Sequence, residues 1–504
     1  MKIIKKITAI ICATVLATLT ACAGGVSPDV GSTTASHVTI PDLEEISGTI
    51  TVSAFESMTH ARFLEEAAKA FEERYPGTTV NIELVQAMPE VRTTDMGDGR
   101  TVGIMEMEDD TGSRNDYIQA INTELMSGRG PDILAMDILP LATYIERGVL
   151  ADLKPFMEQD PSFNMNDLRG NILEASMYGN GLYMMPMDFM FNVYAYDSYL
   201  IPGVSDRLPG TRVSAEDLFD IGREVFGEVN SRLDIHAYMF NLNGGNQRPS
   251  MFQTLLFEEN FNEFVDMPSR TADFTGGSFA ALLNRIQQYT DSGYLRTGMD
   301  FTQITQMSPE EINDMLERMQ TERFFFKTKS ALSLTSSFYQ SADGMRLMRG
   351  IGLGNEEDDK IAGIQSNRRG ETPFQYTQAY AINANSDNKA TAWAFIRFLT
   401  SEEMQTSMNL MGLPINNNAF ADRLERNLLM HMGVQSLDAE GQRILAEYIA
   451  TVSEFADAVN TLFIQSETIR NTINTEMEHF FDGTRSAEDV AGIIQNRVGL
   501  YLNE

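Results

Sequence analysis

The stretch Gly48–Val85, GTITVSAFESMTHARFLEEAAKAFEERYPGTTVNIELV, decides the fold class. Ile50, Val52 and Ala54 alternate with Thr49, Thr51 and Ser53, the period of a strand. The period then changes. Leu64, Ala67, Ala68, Phe71 and Tyr75 fall on one face of a helix, which Pro76-Gly77 ends. Thr79–Val85 returns to alternation through Val80, Ile82 and Leu84. Strand, helix and strand at this spacing form a βαβ unit, hence a parallel pair within an α/β layer.

Downstream, residues Gln86–Asp116, with GDG and EMEDD, read as a loop or hairpin excursion. The next helix carries Tyr117, Ile121 and Leu125 and ends at Gly128. Pro131–Asp137, PDILAMD, reads as a short buried strand, with a helix from Pro140 to Arg147 after it. Gly181–Asp197, GLYMMPMDFMFNVYAYD, is a long apolar and aromatic run broken by Pro186, suited to crossing between two lobes. Gln378–Asn385 is a further extended segment, followed by a helix with Ala392, Phe395, Ile396 and Leu399 on its apolar face. From Asp422 to Glu504 the pattern is largely helical. There are no repeats and no GxxxxGK[ST] phosphate loop.

Upstream, Lys2, Lys5 and Lys6 precede an apolar run, Ile7–Leu19, too short for a permanent membrane span. Leu19-Thr20-Ala21-Cys22 resembles the lipobox of bacterial lipoproteins. That resemblance implies removal of residues 1–21 and acylation of Cys22, each buried CH₂ contributing about 0.8 kcal/mol of membrane binding. Residues 22–47, rich in Gly, Ser, Thr and Pro, then read as a flexible tether. Cys12 would leave with the leader, so Cys22 would stand alone, with no intramolecular disulfide and no Cys-based metal site. Loss of Lys2, Lys5 and Lys6 takes the formal charge from −33 to −36. So acidic a surface argues against nucleic acid and against direct adsorption to anionic lipid.

Several segments in order resemble the extracellular solute-binding proteins, family 1, of bacterial ABC importers: the sugar-binding group that includes maltose-binding protein. They are Ile50–Val85; Leu125–Phe156, with its SGRGPDI and GVLADL elements; Gly181–Asp197; Ala379–Gln405; MGLPINNNAF at Met411–Phe420; and Phe480–Val498. The resemblance implies a two-lobed α/β fold, each lobe a mostly parallel sheet flanked by helices, with the ligand in the cleft between them. It assigns 48–188 and 330–380 to an N-terminal lobe, and 189–329 and 381–504 to a C-terminal lobe. Hinge closure around a sugar or oligosaccharide would then be read by a membrane permease, on the outer face of the cell membrane. Two features depart from the family: the length of Gln86–Asp116, and a single tryptophan, Trp393, whose place on an amphipathic helix predicts internal packing.

Ligands in open α/β sheets sit beyond the carboxyl ends of strands. That rule selects Phe55 and Glu56 after the first strand, and Asp137 after PDILAM. Asp188, just past Pro186, is a ligand or hinge candidate. Asn243 and Asn246 flank two glycines in LNGGNQ; Ser336 and Phe338 belong to SALSLTSSFYQ; Tyr376 and Gln378 belong to PFQYTQAY. Rings pack on the C–H faces of sugars, while amides, hydroxyls and carboxylates pair with their hydroxyl groups. For each residue a structural role is the competing reading: a cap, a turn or core.

No metal or cofactor is expected. EMEDD and NEEDDK (355–360) lack EF-hand spacing, and the five histidines are dispersed. The alternatives to a receptor are a surface glycosidase, which needs two carboxyl groups flanking one bond, and a non-catalytic glycan-binding adhesin. No G-x-S-x-G elbow or cysteine nucleophile is present to support other catalysis.

Overall fold

Ile50, Val52 and Ala54 are fully buried on one face of the strand β1 (Gly48–Glu56), and Phe55 is buried on the other. The computed structural model describes residues 46–56, 60–86, 90–95, 101–106, 111–233, 237–241, 248–295, 308, 310–311, 323–334, 359–464 and 466–503. β1 pairs in parallel with β2 (Thr78–Gln86), from Gly48↔Thr78 to Glu56↔Gln86, and the helix His60–Arg74 connects them. This is the predicted βαβ unit. The excursion after β2 contains an antiparallel hairpin of β3 (Glu90–Asp95) and β4 (Thr101–Glu106). β5 (Ile133–Ala135) lies parallel to β1 on its other side.

The first sheet is completed by β6 (Met185–Pro186) and β16 (Ala379–Ile382), in the order β2-β1-β5-β16-β6. Both of its faces are covered. Phe63, Leu64 and Phe71 of the first helix meet Phe395 of the helix Lys389–Leu399 on one face. Tyr117, Ile121 and Leu125 of the helix Thr111–Met126 pack with Phe55 and Leu134 on the other. Trp393 is fully buried, as its helix position predicts, and donates its indole N–H to Asp160 Oδ2 at 2.9 Å.

After β7 (Asp188–Phe189) the chain enters a second sheet. Its strands are β8 (Asn192–Asp197), β9 (Arg212–Val213), β10 (Ala237–Asn241), β13 (Arg323–Ser330) and β14 (Asp359–Gln365), in the order β10-β13-β8-β14-β9. A small hairpin, β11 (Val265–Asp266) and β12 (Thr271–Ala272), lies between β10 and β13 in the chain. Phe219, Phe240, Phe252, Phe257 and Phe326 fill a second core, closed by the helices Glu467–Phe481 and Ala487–Asn503.

The sheets divide the chain differently from the expected lobes. β14, expected in the N-terminal lobe within 330–380, is bonded to β8 in the second sheet. β16 straddles the expected 380/381 boundary and lies whole in the first sheet. The helices Lys389–Leu399, Asn417–Met432 and Ala439–Ala458, expected in the C-terminal lobe, pack into the first core. Alternation identifies a strand but carries no record of which sheet accepts it.

Three segments join the two sheets and their cores: one between β7 and β8, one between β14 and β16, and one between the helices Ala439–Ala458 and Glu467–Phe481. They are laced together. Met190 and Gln375 exchange backbone hydrogen bonds at 2.7 and 2.9 Å. β15 (Pro373–Phe374) pairs in parallel with β18 (Thr461–Leu462), and Phe463 N–H donates to the Phe374 carbonyl at 2.9 Å. Apolar packing continues through this junction, since Phe191, Val193, Ala331 and Ile364 share a core with the first sheet.

Asp188 anchors the lacing. Its side chain is fully buried and accepts from the amides of Thr377 (2.7 Å), Gln378 (3.2 Å) and Gly412 (2.8 Å), and from the Thr377 hydroxyl. It thereby ties the first crossing to the second and to β17 (Leu413–Pro414), which also pairs with β7. Gly412 is required by close approach: a Cβ there would sit 2.7 Å from the Asp188 carboxyl. Asp188→Ala would leave buried amides without an acceptor, at roughly 1–3 kcal/mol each. We expect that substitution to lower the unfolding free energy by more than about 3 kcal/mol, and Gly412→Ala to be destabilising as well. Urea unfolding of both variants checks this, and wild-type midpoints would remove Asp188 as the anchor.

Candidate functional site

A crevice of about 110 Å³ opens at the base of the junction between the lobes. The first crossing supplies Met190, Phe191 and Asn192, and the second supplies Pro373, Phe374 and Gln375. Phe463 comes from the third crossing, Ser330 and Gln365 end β13 and β14, and Glu258 begins the helix Glu258–Phe264. The topology explains the position. β10, β13 and β14 run the same way, each antiparallel to β8 or parallel to a strand that is. Their carboxyl ends therefore point to this one edge, where α/β folds place ligands.

Along the first lobe, the carboxyl ends of β1 and β5 bring a second group together. Phe55 packs on Tyr117 with ring centroids 5.7 Å apart, and Ser53 Oγ lies 3.1 Å from the Tyr117 hydroxyl. Tyr376, the residue after crevice-lining Gln375, donates its hydroxyl to the Met136 carbonyl at 3.1 Å, beside Asp137. Burial raises the Tyr117 and Tyr376 hydroxyls well above their ordinary range, and the Asp137 carboxylate adds to both shifts. Both phenols therefore remain hydrogen-bonding OH groups.

The structure brings three predicted residues, Phe55, Asp137 and Tyr376, into one wall, but Phe55 is only 1% exposed and serves here as core under that wall. Asp188 and Gln378 are fully buried and are corrected to structural roles. Asp188 binds backbone amides. The Gln378 amide N–H donates to Asp188, its carbonyl accepts from Met187, and its side-chain carbonyl accepts from the Tyr380 hydroxyl at 3.3 Å. Asn243, Asn246, Ser336, Phe338, Cys22 and the side chain of Glu56 lie outside the described residues. The first two follow the carboxyl end of β10, and the next two follow β13, in sequence.

Sequence reading missed Asn192, Glu258, Gln365, Gln375 and Tyr117. Gln375 sits one residue from the flagged Tyr376, and only strand parity, fixed by the Met190 bridge, shows that its side chain is exposed. Glu258 follows a π-helical turn, Gln253–Phe257, which hydrophobic periodicity does not register.

Two consecutive glutamates differ in fate. Burial pushes the Glu258 carboxyl up to about 7, with Arg470 opposing. Burial pushes fully enclosed Glu259 to about 8, although the Tyr194 hydroxyl and the Ala215 amide (3.2 Å) donate to it. The lobes also touch outside the crossings. Arg270, at the tip of the β11–β12 hairpin and with φ 54°, pairs with Glu146 at the end of the first-lobe helix Leu141–Glu146. The Tyr178 hydroxyl lies 3.1 Å from Glu146 Oε1 and 3.3 Å from the Met267 carbonyl of the same hairpin. Thr211, just before β9, donates to Glu454 (2.8 Å), and Arg212 on β9 donates to the Ala458 carbonyl (3.0 Å).

The Arg270–Glu146 pair is partly exposed, so its worth is about 0.5–1 kcal/mol. Arg270→Glu and Glu146→Arg should each broaden the distance between spin labels on the two lobes, and the double charge swap should restore it. Unchanged distributions in the single variants would show that the pair does not hold the lobes. For Glu259, native protonation contributes stability that is fully present below pH 4.5 and is lost as pH rises to about 8. Glu259→Gln should therefore lose less melting temperature than the wild-type chain across that range, and parallel curves would contradict the assignment.

Residues 99–425 match the model of the bacterial extracellular solute-binding protein family. No curated protein matches the sequence. Among solved structures, an extracellular solute-binding protein of family 1 from Alicyclobacillus acidocaldarius superposes with a TM-score of 0.56 at 15% identity, covering 91% of this chain and 99% of that one. A cyclic α-maltosyl-1,6-maltose binding protein from Arthrobacter globiformis gives 0.54 at 12%, covering 90% and 99%. A sugar transporter from Rhizobium etli in an open conformation gives the same figures. At these identities the structural likeness is one of fold, a two-lobed α/β architecture. The family match spans more than half of the sequence, and the chain belongs to the bacterial extracellular solute-binding proteins.

Proposed function

We propose that the protein is a lipid-anchored receptor that binds a sugar or oligosaccharide between its lobes and hands it to an ABC permease by hinge closure. The observation that carries this reading is the composition of the hinge crevice: amides (Asn192, Gln365, Gln375), a hydroxyl (Ser330) and rings (Phe191, Phe374, Phe463), drawn from the second lobe and all three crossings. Amides and hydroxyls pair with sugar OH groups, and rings pack on sugar C–H faces. A ligand touching all three crossings favours whichever lobe arrangement completes those contacts. Asn243, Asn246, Ser336 and Phe338, which follow β10 and β13 in sequence, remain ligand candidates on this reading, as do Asp137 and Tyr376.

Among the described residues one carboxylate, Glu258, lines the crevice, whereas hydrolysis of a glycosidic bond needs two flanking it. This supports the receptor over the glycosidase. Cys22 supplies the anchor, with the permease and the bilayer as partners. No helix among the described residues is long and apolar enough to cross a membrane.

Calorimetric titration of the soluble body from Ser47 with neutral oligosaccharides should give a dissociation constant near 1 μM, about −8 kcal/mol. The ligand should be recovered uncleaved by chromatography. Gln375→Ala, at an exposed position, and Phe338→Ala should each weaken binding by more than about tenfold (1.4 kcal/mol) with unchanged melting temperature. Cleavage of the oligosaccharide would favour the enzyme, and absence of binding across mono- and oligosaccharides would remove the carbohydrate assignment.

A further inference from the structure

The sequence around Glu258 departs from regular helix in a way that matters for what the crevice accepts. The helix Arg248–Phe252 passes into a π-helical turn, Gln253–Phe257, and then into the helix Glu258–Phe264. The widened turn keeps Leu255, Leu256 and Phe257 buried in the second core. It also re-aims the residues that follow, a common use of such turns at functional sites. Glu259 is directed inward to the Tyr194 hydroxyl and the Ala215 amide. Glu258 is left partly exposed on the crevice wall.

Every other polar residue lining the crevice is neutral: Asn192, Ser330, Gln365 and Gln375. Among the described residues no lysine, arginine or histidine lines it. We propose that Glu258 makes the crevice selective for neutral over anionic glycans, rejecting uronates and other carboxylated or phosphorylated sugars. The proposal rests on the receptor reading above. An anionic ligand would meet a carboxylate with no lysine or arginine among the described lining residues to offset the repulsion. A neutral ligand instead presents hydroxyls that donate to that carboxylate. The formal charge of −33 acts in the same direction at long range.

The charged and titratable groups around Glu258 come from four elements. Glu259 follows it on the same helix, and the Tyr194 hydroxyl on β8 is bonded to Glu259. Glu371 of the second crossing lines the adjoining depression, and Arg470 lies on the helix Glu467–Phe481. Only Arg470 favours ionisation, and burial outweighs it, so the carboxyl titrates near 7. Discrimination should therefore be full above that pH and fade below it, while a uronate, with a pKa of about 3–4, stays ionised throughout.

The test uses a neutral oligosaccharide that binds and the same molecule oxidised at its C6 hydroxyls to carboxylates. With the wild-type soluble body at about pH 8, the oxidised form should bind at least tenfold more weakly. The gap should narrow at about pH 5.5. Glu258→Gln should accept both forms within a few-fold at either pH. The wild-type pH comparison stands even if that variant folds poorly. Tighter binding of the oxidised form, or a gap unaffected by both pH and Glu258→Gln, would overturn the proposal and leave the receptor reading intact. Neutral binding indifferent to Gln375→Ala, or no glycan binding at all, would overturn the receptor reading, and the proposal with it.

Discussion

The arrangement of the molecule depends on one buried carboxylate. Asp188 sits where the chain leaves the first sheet, and it collects amides from residues 189 to 224 positions away. With that anchor in place, the Met190–Gln375 bridge and the β15–β18 pair align the crossings side by side. Their alignment in turn sets Asn192, Gln375 and Phe463 around one crevice. The anchor is costly to desolvate, and burial holds its carboxyl above the usual carboxylate range even with four donors. A buried acid whose bonds are spent on three backbone amides and the Thr377 hydroxyl constrains geometry.

Much of the fold was legible because burial imposes periodicity. β1, its helix and β2 could be read from alternation and the i, i+3, i+4 spacing, since each element covers one core. The indole of Trp393 could be placed from its helix face alone. Lobe membership was not legible. Neither β14 (DKIAGIQ) nor β16 (AYAI) carries a mark of its sheet, and only long-range pairing sends one to each. The candidate site was read in part. The carboxyl-end rule selected Asp137, and the segment PFQYTQAY supplied Tyr376, which the structure sets beside it. Asp188, read as a ligand or hinge candidate, and Gln378 are buried in backbone ties, a role that a polar residue beside a crossing serves equally well. Glu258 left no signal, since a π turn has no hydrophobic signature and its neighbours arrive from three crossings.

On the proposed reading the recognising groups stand at the joint between the lobes. A ligand in the crevice would touch the second lobe and all three crossings, so occupancy and lobe geometry would be coupled by contact and not through a distant relay. The contacts outside the hinge, Arg270 with Glu146 on one side and β9 with the helix Ala439–Ala458 on another, are polar and largely exposed. Such contacts exchange with water at small cost, which suits surfaces that part and rejoin. The apolar packing is kept for the cores and the crossings themselves.

The central claim is that ligand at the hinge changes the lobe arrangement. Small-angle X-ray scattering of the soluble body, with and without a saturating neutral oligosaccharide, tests it most directly. The account predicts a smaller radius of gyration with ligand, and no such change in Gln375→Ala at the same concentration. An identical scattering profile on saturation of the wild-type protein would contradict it.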